Sequence, residues 1–367
     1  MLVMKNLRIL LCAALTVACA GPVAADPDSL QGDPGAGPVR MQVTDCLIAN
    51  RTHEGTPCPE PQVPQGGDKP ALIEGHLARA WYFIGMQDLQ LARAEADSAL
   101  AIDPNNLKAR HLSARLSFTL GDLTRAEADL ELARKQAPDD PDVHATYAMF
   151  LQSRATDIVS LREFDAIIRT HPSHLYSRKQ ASILLMRLGE YEVALANLNF
   201  VIERQPSVDL LERRAEAFMG LGRFQSAVAD LSEAIKHRPN NFTLIVARAD
   251  AYARADLNEF ALRDYDAVLA SDHGAPLYLM TAEQRAEVLQ KRAFSHARLH
   301  RFDDAADDII SSISIGGTSA ILRTQVLLRR HGFTDVPLDG HDSPALRKAL
   351  TACFGNNVCF QGIMRSI

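Results

Sequence analysis

An all-α solenoid is the architecture this 367-residue sequence predicts, and three observations predict it. Pro104, Pro138, Pro172, Pro206 and Pro239 follow one another at intervals of 34, 34, 34 and 33 residues, the period of a repeated two-helix unit. Small residues recur in phase with them: Ala80, Ala114, Ala148, Ser182, Ala215, Ala249 and Ala293 in a first helix, A, and Ala92, Ala126, Ala194, Ala227, Ala261 and Ala305 in a second, B. Leu130, Phe164, Leu198, Leu231, Tyr265 and Ile309 then supply bulk at a fixed distance beyond the second set. Small against large at helical spacing is how antiparallel helices interdigitate. Such a chain is first of all a surface for holding something else.

Residues 1–25 precede the repeats and have the pattern of an export signal. Lys5 and Arg8 give a positive start, Ile9 to Ala20 a short apolar stretch, and Val23-Ala24-Ala25 small residues before Asp26. The apolar run is too short to span a bilayer. Cys19 offers an alternative, an acylated lipoprotein start. Residues 26–70 are rich in Pro, Gly and Asp and read as a flexible leader. Apart from Cys12 and Cys19, the cysteines form two close pairs, Cys46 with Cys58 and Cys353 with Cys359. In an exported chain these predict two local disulfides, the first of them stapling the leader. A bacterial periplasm is the compartment this combination suggests.

The repeats occupy 71–317, as units 73–104, 105–138, 139–172, 173–206, 207–239, 240–273 and about 281–317. After each proline a capping residue opens the first helix: Asn106, Asp140, Ser173, Ser207 and Asn241. Gly121-Asp122, Gly189-Glu190 and Gly222-Arg223 turn the chain into the second. The clock fails at His273, which stands in a proline position before a loop from Ser271 to Met280. Thr281-x-x-Gln284 has the capping-box pattern for the last unit, and Gly316-Gly317 stop it. In these residues the chain resembles the tetratricopeptide repeat, which implies about seven helix-turn-helix units, a concave groove lined by helix A, and a protein or peptide partner in it. The groove positions implied are Trp81, Ile84, Arg115, Phe118, Met149, Lys179, Ile183, Met186, Arg187 and Met219, with Asp250, Arg254, Phe294 and Arg298 further along. Trp81, Arg115, Phe118, Lys179, Met186, Arg187 and Met219 are the contacts most expected to serve a partner; Met149 and Ile183 are expected to pack against neighbouring repeats.

Residues 318–367 follow a different pattern, a small helical unit. Ile321 to Phe333 is an amphipathic helix ended by glycine, Asp339-Gly340 a tight corner, and Ser343-Pro344 the start of a further helix. Gln325, Leu328, Gly332, Phe333, Asp339, Gly340, Ala349 and Leu350 resemble the motif of peptidoglycan-binding modules, with Ser343, Leu346 and Cys353 departing from it. The resemblance implies wall contact; a polar end cap for the solenoid is the alternative.

Charge and chemistry set the remaining limits. Formal charge is −6 for the chain and about −8 without residues 1–25, with both signs interspersed along the helices as on an ordinary solvated surface. No basic stripe suggests nucleic acid, and no run after the leader is long enough to be transmembrane. Neither a metalloprotease helix, a nucleophile elbow nor a phosphate loop is present. His296 and His300, four apart, with Asp303, Asp304, Asp307 and Asp308, are the sharpest candidate for a metal-dependent enzyme. A packing role for His296 and a turn role for His300 are the readings preferred. The sequence therefore predicts an exported scaffold, not an enzyme, with no cofactor and no metal. A wall-anchoring module with the repeats as spacer is the alternative.

Overall fold

The computed structural model describes residues 59–154, 156–271 and 280–364, which lie in seventeen α-helices and their connections. Residues 1–25 and the Cys46–Cys58 pair fall outside these. The described chain forms two compact units that divide at Ala181 and Ser182. The first holds α1 (Lys69–Gly85), α2 (Leu89–Ile102), α3 (Leu107–Thr119), α4 (Leu123–Gln136), α5 (Pro141–Arg154) and α6 (Asp157–Thr170). The division falls within α7 (Leu175–Arg187). The second unit continues with α8 (Tyr191–Ile202), α9 (Val208–Gly220), α10 (Phe224–His237), α11 (Phe242–Arg254), α12 (Asn258–Ser271), α13 (Ala282–Arg298) and α14 (Phe302–Ile315). It ends with α15 (Gly317–Arg330), α16 (Pro344–Phe354) and α17 (Asn357–Met364).

Local chemistry sets the helix boundaries. Asn106, Asp140, Ser207 and Asn241 each accept a first-turn N–H through their side-chain oxygen, from Ala109, Val143, Leu210 and Leu244. Both bonds of the Thr281–Gln284 capping box are present, at 3.2 and 2.9 Å. Ser173 is not the cap expected of it. It lies in the turn, and His174 immediately precedes α7, because the caps stand two residues after their proline everywhere except at Ser207.

The turn from helix A to helix B is one motif in six of the hairpins. Gln87, Gly121, Gly189, Gly222, Asp256 and His300 all have positive φ, between 58° and 81°. The next residue donates its N–H back to the carbonyl five positions earlier, as Asp122 does to Ser117 at 2.9 Å and Arg301 to His296 at 2.9 Å. This satisfies the orphan carbonyls of the ending helix. The three non-glycine residues each bear about 1 kcal/mol of left-handed strain there.

Every small residue of the pattern is at most 1% exposed: Ala80, Ala114, Ala148, Ser182, Ala215, Ala249 and Ala293 on helix A, and Ala92, Ala126, Ala194, Ala227, Ala261 and Ala305 on helix B. Ser160 fills the corresponding place in the third unit, its hydroxyl donating to the carbonyl of Ala148. Each core layer joins one hairpin to the first helix of the next. Leu211, Ala227, Leu231 and Leu244 form one layer, and Ala249, Tyr265, Val268 and Leu289 another. Nearest-neighbour stacking of this kind builds a solenoid from units unable to bury their own faces.

A polar ladder runs beside these layers in the second unit. Arg214, Arg248 and Arg292 each grip the aspartate 16 residues ahead with Nε and Nη2: Asp230 at 2.7 and 2.7 Å, Asp264 at 2.8 and 2.8 Å, Asp308 at 2.9 and 2.5 Å. The remaining Nη1 reaches the preceding repeat, donating to Asn199, Ser232 and Asp266 respectively. One guanidinium thus closes its own hairpin and stitches it to the last. Hydrogen bonding to the aspartate raises the already high pKa of each arginine, against the opposing effect of burial.

We expect Arg248→Ala to cost about 3 kcal/mol in urea unfolding, because it strands the buried Asp264 carboxylate. Lys236→Ala, which breaks an exposed pair with Glu233, is expected to cost less than about 0.5 kcal/mol.

Candidate functional site

The residue after the buried small position of helix A sits at the edge of the core. In the first unit this position brings Trp81 of α1 and Arg115 of α3 together. The guanidinium carbon lies 5.7 Å from the ring centroid, and both side chains are half-buried. A cation over an indole face gains stability of its own and holds both groups in place for a third. The structure draws the other expected positions more deeply into packing. Phe118 meets Phe150 edge-on at 6.0 Å, against the layer of Ala114, Ala126 and Leu130. The Met149 sulfur is contacted by the Tyr176 hydroxyl. Lys179 is half-buried on α7.

In the second unit Met186 is 8% exposed and offers little surface, while Arg187 beside it is exposed. Met219 packs against the layer of Leu211, Ala215 and Leu231. Asp250 accepts from the Tyr265 hydroxyl at 2.6 Å and from Lys291 Nζ at 2.9 Å. Burial, then the Asp250 charge, pushes the Tyr265 pKa up, so its hydroxyl remains a donor. Burial lowers the Lys291 pKa, but bonds to Glu287 and Asp250 outweigh it and hold the ammonium charged. Arg254 is exposed, Arg298 pairs with Asp256 at 2.9 Å, and Phe294 stacks on Phe360 of α17 at 5.7 Å. The expectation that Phe294 faces an open groove is corrected by that ring.

The C-terminal motif builds a corner from inside. Gln325 is fully buried. Its Nε2 donates to Asp339 Oδ1 and to the His341 carbonyl, both at 2.9 Å, and its Oε1 accepts from the Gly340 N–H at 2.8 Å. Bonds from the His341 N–H and from Gln325 hold the Asp339 carboxyl below its usual pKa. Leu328 is fully buried, Phe333 packs on the same core, and Gly332 at φ +96° ends α15. That helix starts at Gly317, four residues before the expected Ile321, so Gly316-Gly317 ends one helix and begins the next. Cys353 and Cys359 are disulfide-bonded. They belong to one core with Ala293, Ile309, Ile313, Leu346, Leu350 and Ile363, continuous from the seventh repeat into α15, α16 and α17.

The histidine–aspartate cluster is dispersed into other pairings. Asp308 is held by Arg292, Asp307 pairs with Arg347, and Asp303 accepts from Thr351. His300 is an exposed turn residue. His296 has Asp304 at 3.8 Å and Asp308 at 3.9 Å, beyond hydrogen-bond reach. Among the described residues no group of three or more His, Cys, Asp or Glu is placed to hold a metal ion. Burial lowers the His296 pKa, with Asp308 and Asp304 opposing, so the ring is neutral at pH 7.

Two further polar devices tie the helices together. The Arg–Asp ladder has a sequence trace, the 16-residue spacing repeated at 214/230, 248/264 and 292/308. His174, 9% exposed, lies between Ser177 Oγ at 2.7 Å and Asp142 Oδ1 at 2.9 Å. Ser177 is fully buried and stands three residues after His174, so this Ser–His–Asp string ties α7 to the start of α5 and presents no nucleophile to solvent.

Comparison with known proteins bears on the repeats. Residues 83–150 and 179–242 each match a tetratricopeptide-repeat family profile. Over 202 residues the chain is 23% identical to DnaJ homolog subfamily C member 3 of Gallus gallus, covering 50% of this chain and 40% of that protein. The chain thus spans well under half of that relative. The C-terminal part of a TPR repeat-containing protein from Cytophaga hutchinsonii superposes with a TM-score of 0.51 at 16% identity, over 63% of this chain and 93% of that one. A tetratricopeptide repeat protein from Parabacteroides merdae gives 0.44 at 16% identity, over 78% and 100%. Residues 83–150 and 179–242 thus carry tetratricopeptide repeats, and the described chain has a helical solenoid fold. Among the described residues no helix is long and apolar enough to cross a membrane.

Two outcomes test the packing of these side chains. Gly340 has φ +71°, and a Cβ there would stand 2.4 Å from Thr318 Cγ2, whereas at Gly332 nothing lies within 4 Å. Gly340→Ala should therefore cost about 2–4 kcal/mol and Gly332→Ala about 1–2, read by thermal unfolding. The His296 contribution runs with the unfolded chain binding the extra proton. Stability is full above about pH 6.5 and falls as pH drops below it, and His296→Gln should flatten that component in melts between pH 8 and 5.

Proposed function

We propose that this chain is an exported scaffold without catalytic chemistry of its own, binding a protein partner through the helix-A face of its repeats. The Trp81–Arg115 pair carries the reading. Trp and Arg are enriched where truncation costs most binding energy, and here they stand stacked and half-exposed on successive helix-A elements. An extended or helical segment bearing an acidic side chain fits such a pair, carboxylate to guanidinium and aliphatic stem to indole. Export is supported by the Lys5 to Ala25 pattern and by the Cys353–Cys359 disulfide, which suits an oxidising compartment such as the periplasm. Acylation at Cys19 is the alternative form of the same export.

The C-terminal unit acts in this reading as the end cap of the array, because its core is continuous with that of the last repeat. Contact with peptidoglycan is a second reading. The exposed Arg323, Arg330 and Lys348 favour it, as cations able to meet the carboxylates of wall peptides.

Crosslinked capture from periplasmic extract, comparing the native chain with Trp81→Ala and Arg115→Glu, tests the first reading. Loss of the captured partner by about tenfold or more in both variants, with Lys236→Glu behaving as the native chain, is the expected result. Retention by both variants would refute it. Sedimentation with purified sacculi tests the second, using Arg323→Glu/Arg330→Glu, since a chain ending at Gly317 would lose half of a shared core.

A further inference from the structure

Phe294 follows Ala293 as Trp81 follows Ala80 and Arg115 follows Ala114, so it holds the same repeat position in the seventh unit. Its ring stacks on Phe360 with 28° between the planes, and Phe360 meets Phe354 edge-on at 5.6 Å. The helix that carries Phe360 is amphipathic: Cys359, Phe360 and Ile363 are buried, and Val358 is 73% exposed. Eight residues are too few to hold a helix in water unaided. Burial of that face keeps α17 in place, together with the Cys353–Cys359 bridge to the end of α16.

We propose that the helix-A position of the seventh repeat is an acceptor site for an aromatic side chain carried on a short helix, filled in cis by Phe360 and latched by the Cys353–Cys359 disulfide. While the bridge is intact, the tethered helix has a high effective concentration and outcompetes any equivalent segment in solution. Reduction removes the bridge's restraint and leaves α17 held by its buried face and the Gly355–Asn356 link alone, so the site opens more often. A dithiol reductant delivers two electrons and two protons, the bridge becomes two thiols, and the dithiol ends as its own disulfide. Both cysteines are buried, so exchange proceeds through transient opening of α17 and is slow in the closed state. The latch uses none of the residues of the proposed partner surface at Trp81 and Arg115, so it can fail while that reading holds, or hold while that reading fails.

Hydrogen exchange read by mass spectrometry tests the latch on the full chain. The samples are oxidised protein, protein treated with dithiothreitol, and the Cys353→Ala/Cys359→Ala variant. Exchange over 357–364 and 290–298 should rise about tenfold or more in the two opened samples, with 208–254 unchanged. Equal exchange over 357–364 in all three would overturn the latch. A rise that spreads over 208–254 would also overturn it, by making the bridge a staple of the whole unit. The site itself is tested with a fluorescent peptide of the sequence 356–364 in which Ser replaces Cys359. It should bind the Phe360→Ala chain under dithiothreitol, where the competing ring is gone, and not the oxidised native chain. Absence of binding to the Phe360→Ala chain, or equal binding to both, overturns the site.

Discussion

Close approach of two helices at one small residue apiece is the constraint on which the array depends. Where Ala80 meets the second helix of its hairpin, and at each equivalent crossing, anything larger than alanine or serine would push the axes apart. With the axes close, knobs such as Leu130, Leu231 and Ile309 are fully or almost fully buried between neighbours, each contributing about 2 kcal/mol of apolar burial. The turns follow from the same requirement. Only a tight left-handed connection returns the chain quickly enough to keep the small residues opposed, which is why Gln87, Asp256 and His300 accept a conformation that glycine adopts more easily.

The ladder of Arg214, Arg248 and Arg292 adds direction to this packing. Apolar layers tolerate sliding of one repeat on the next, but a planar fork with two donors on its own aspartate and a third on the preceding repeat permits one register. Buried ion pairs of this sort contribute less to net stability than to selecting one arrangement among near equals. Repeats five to seven share this device. The second repeat uses another, with Ser113 and Arg110 on Asp129 and Arg125 bridging back to Asp97.

Features written in short-range chemistry were legible in the sequence. Prolines, caps, turn glycines and the small–large alternation act within a few residues, so the helix pairs could be placed from them. The cysteine pair Cys353 and Cys359 was equally local. Ser173 was misplaced by one residue because two oxygen- or nitrogen-bearing side chains stand side by side after Pro172. The ladder was hidden because a buried arginine and a solvated one look alike until the partner 16 residues away is placed beside it. Phe294 illustrates the harder limit. Nothing within the seventh repeat announces that a ring 66 residues later will cover it, so a position assigned to open surface belongs instead to an internal contact. Met186, 8% exposed, shows the same limit, since repeat position alone does not distinguish a groove wall from a core edge.

The continuous core from α13 to α17 has a consequence for how the chain is made. A solenoid can fold repeat by repeat as it emerges, each unit templated by the one before. The last layer cannot do so, because the core that holds Ile309 and Ile313 also includes Cys359, Phe360 and Ile363. A chain threaded lengthwise from a ribosome or a translocation pore must hold the seventh hairpin incomplete until α17 arrives. The interval in which that apolar surface lies uncovered is set by the speed of delivery and not by the stability of the finished fold.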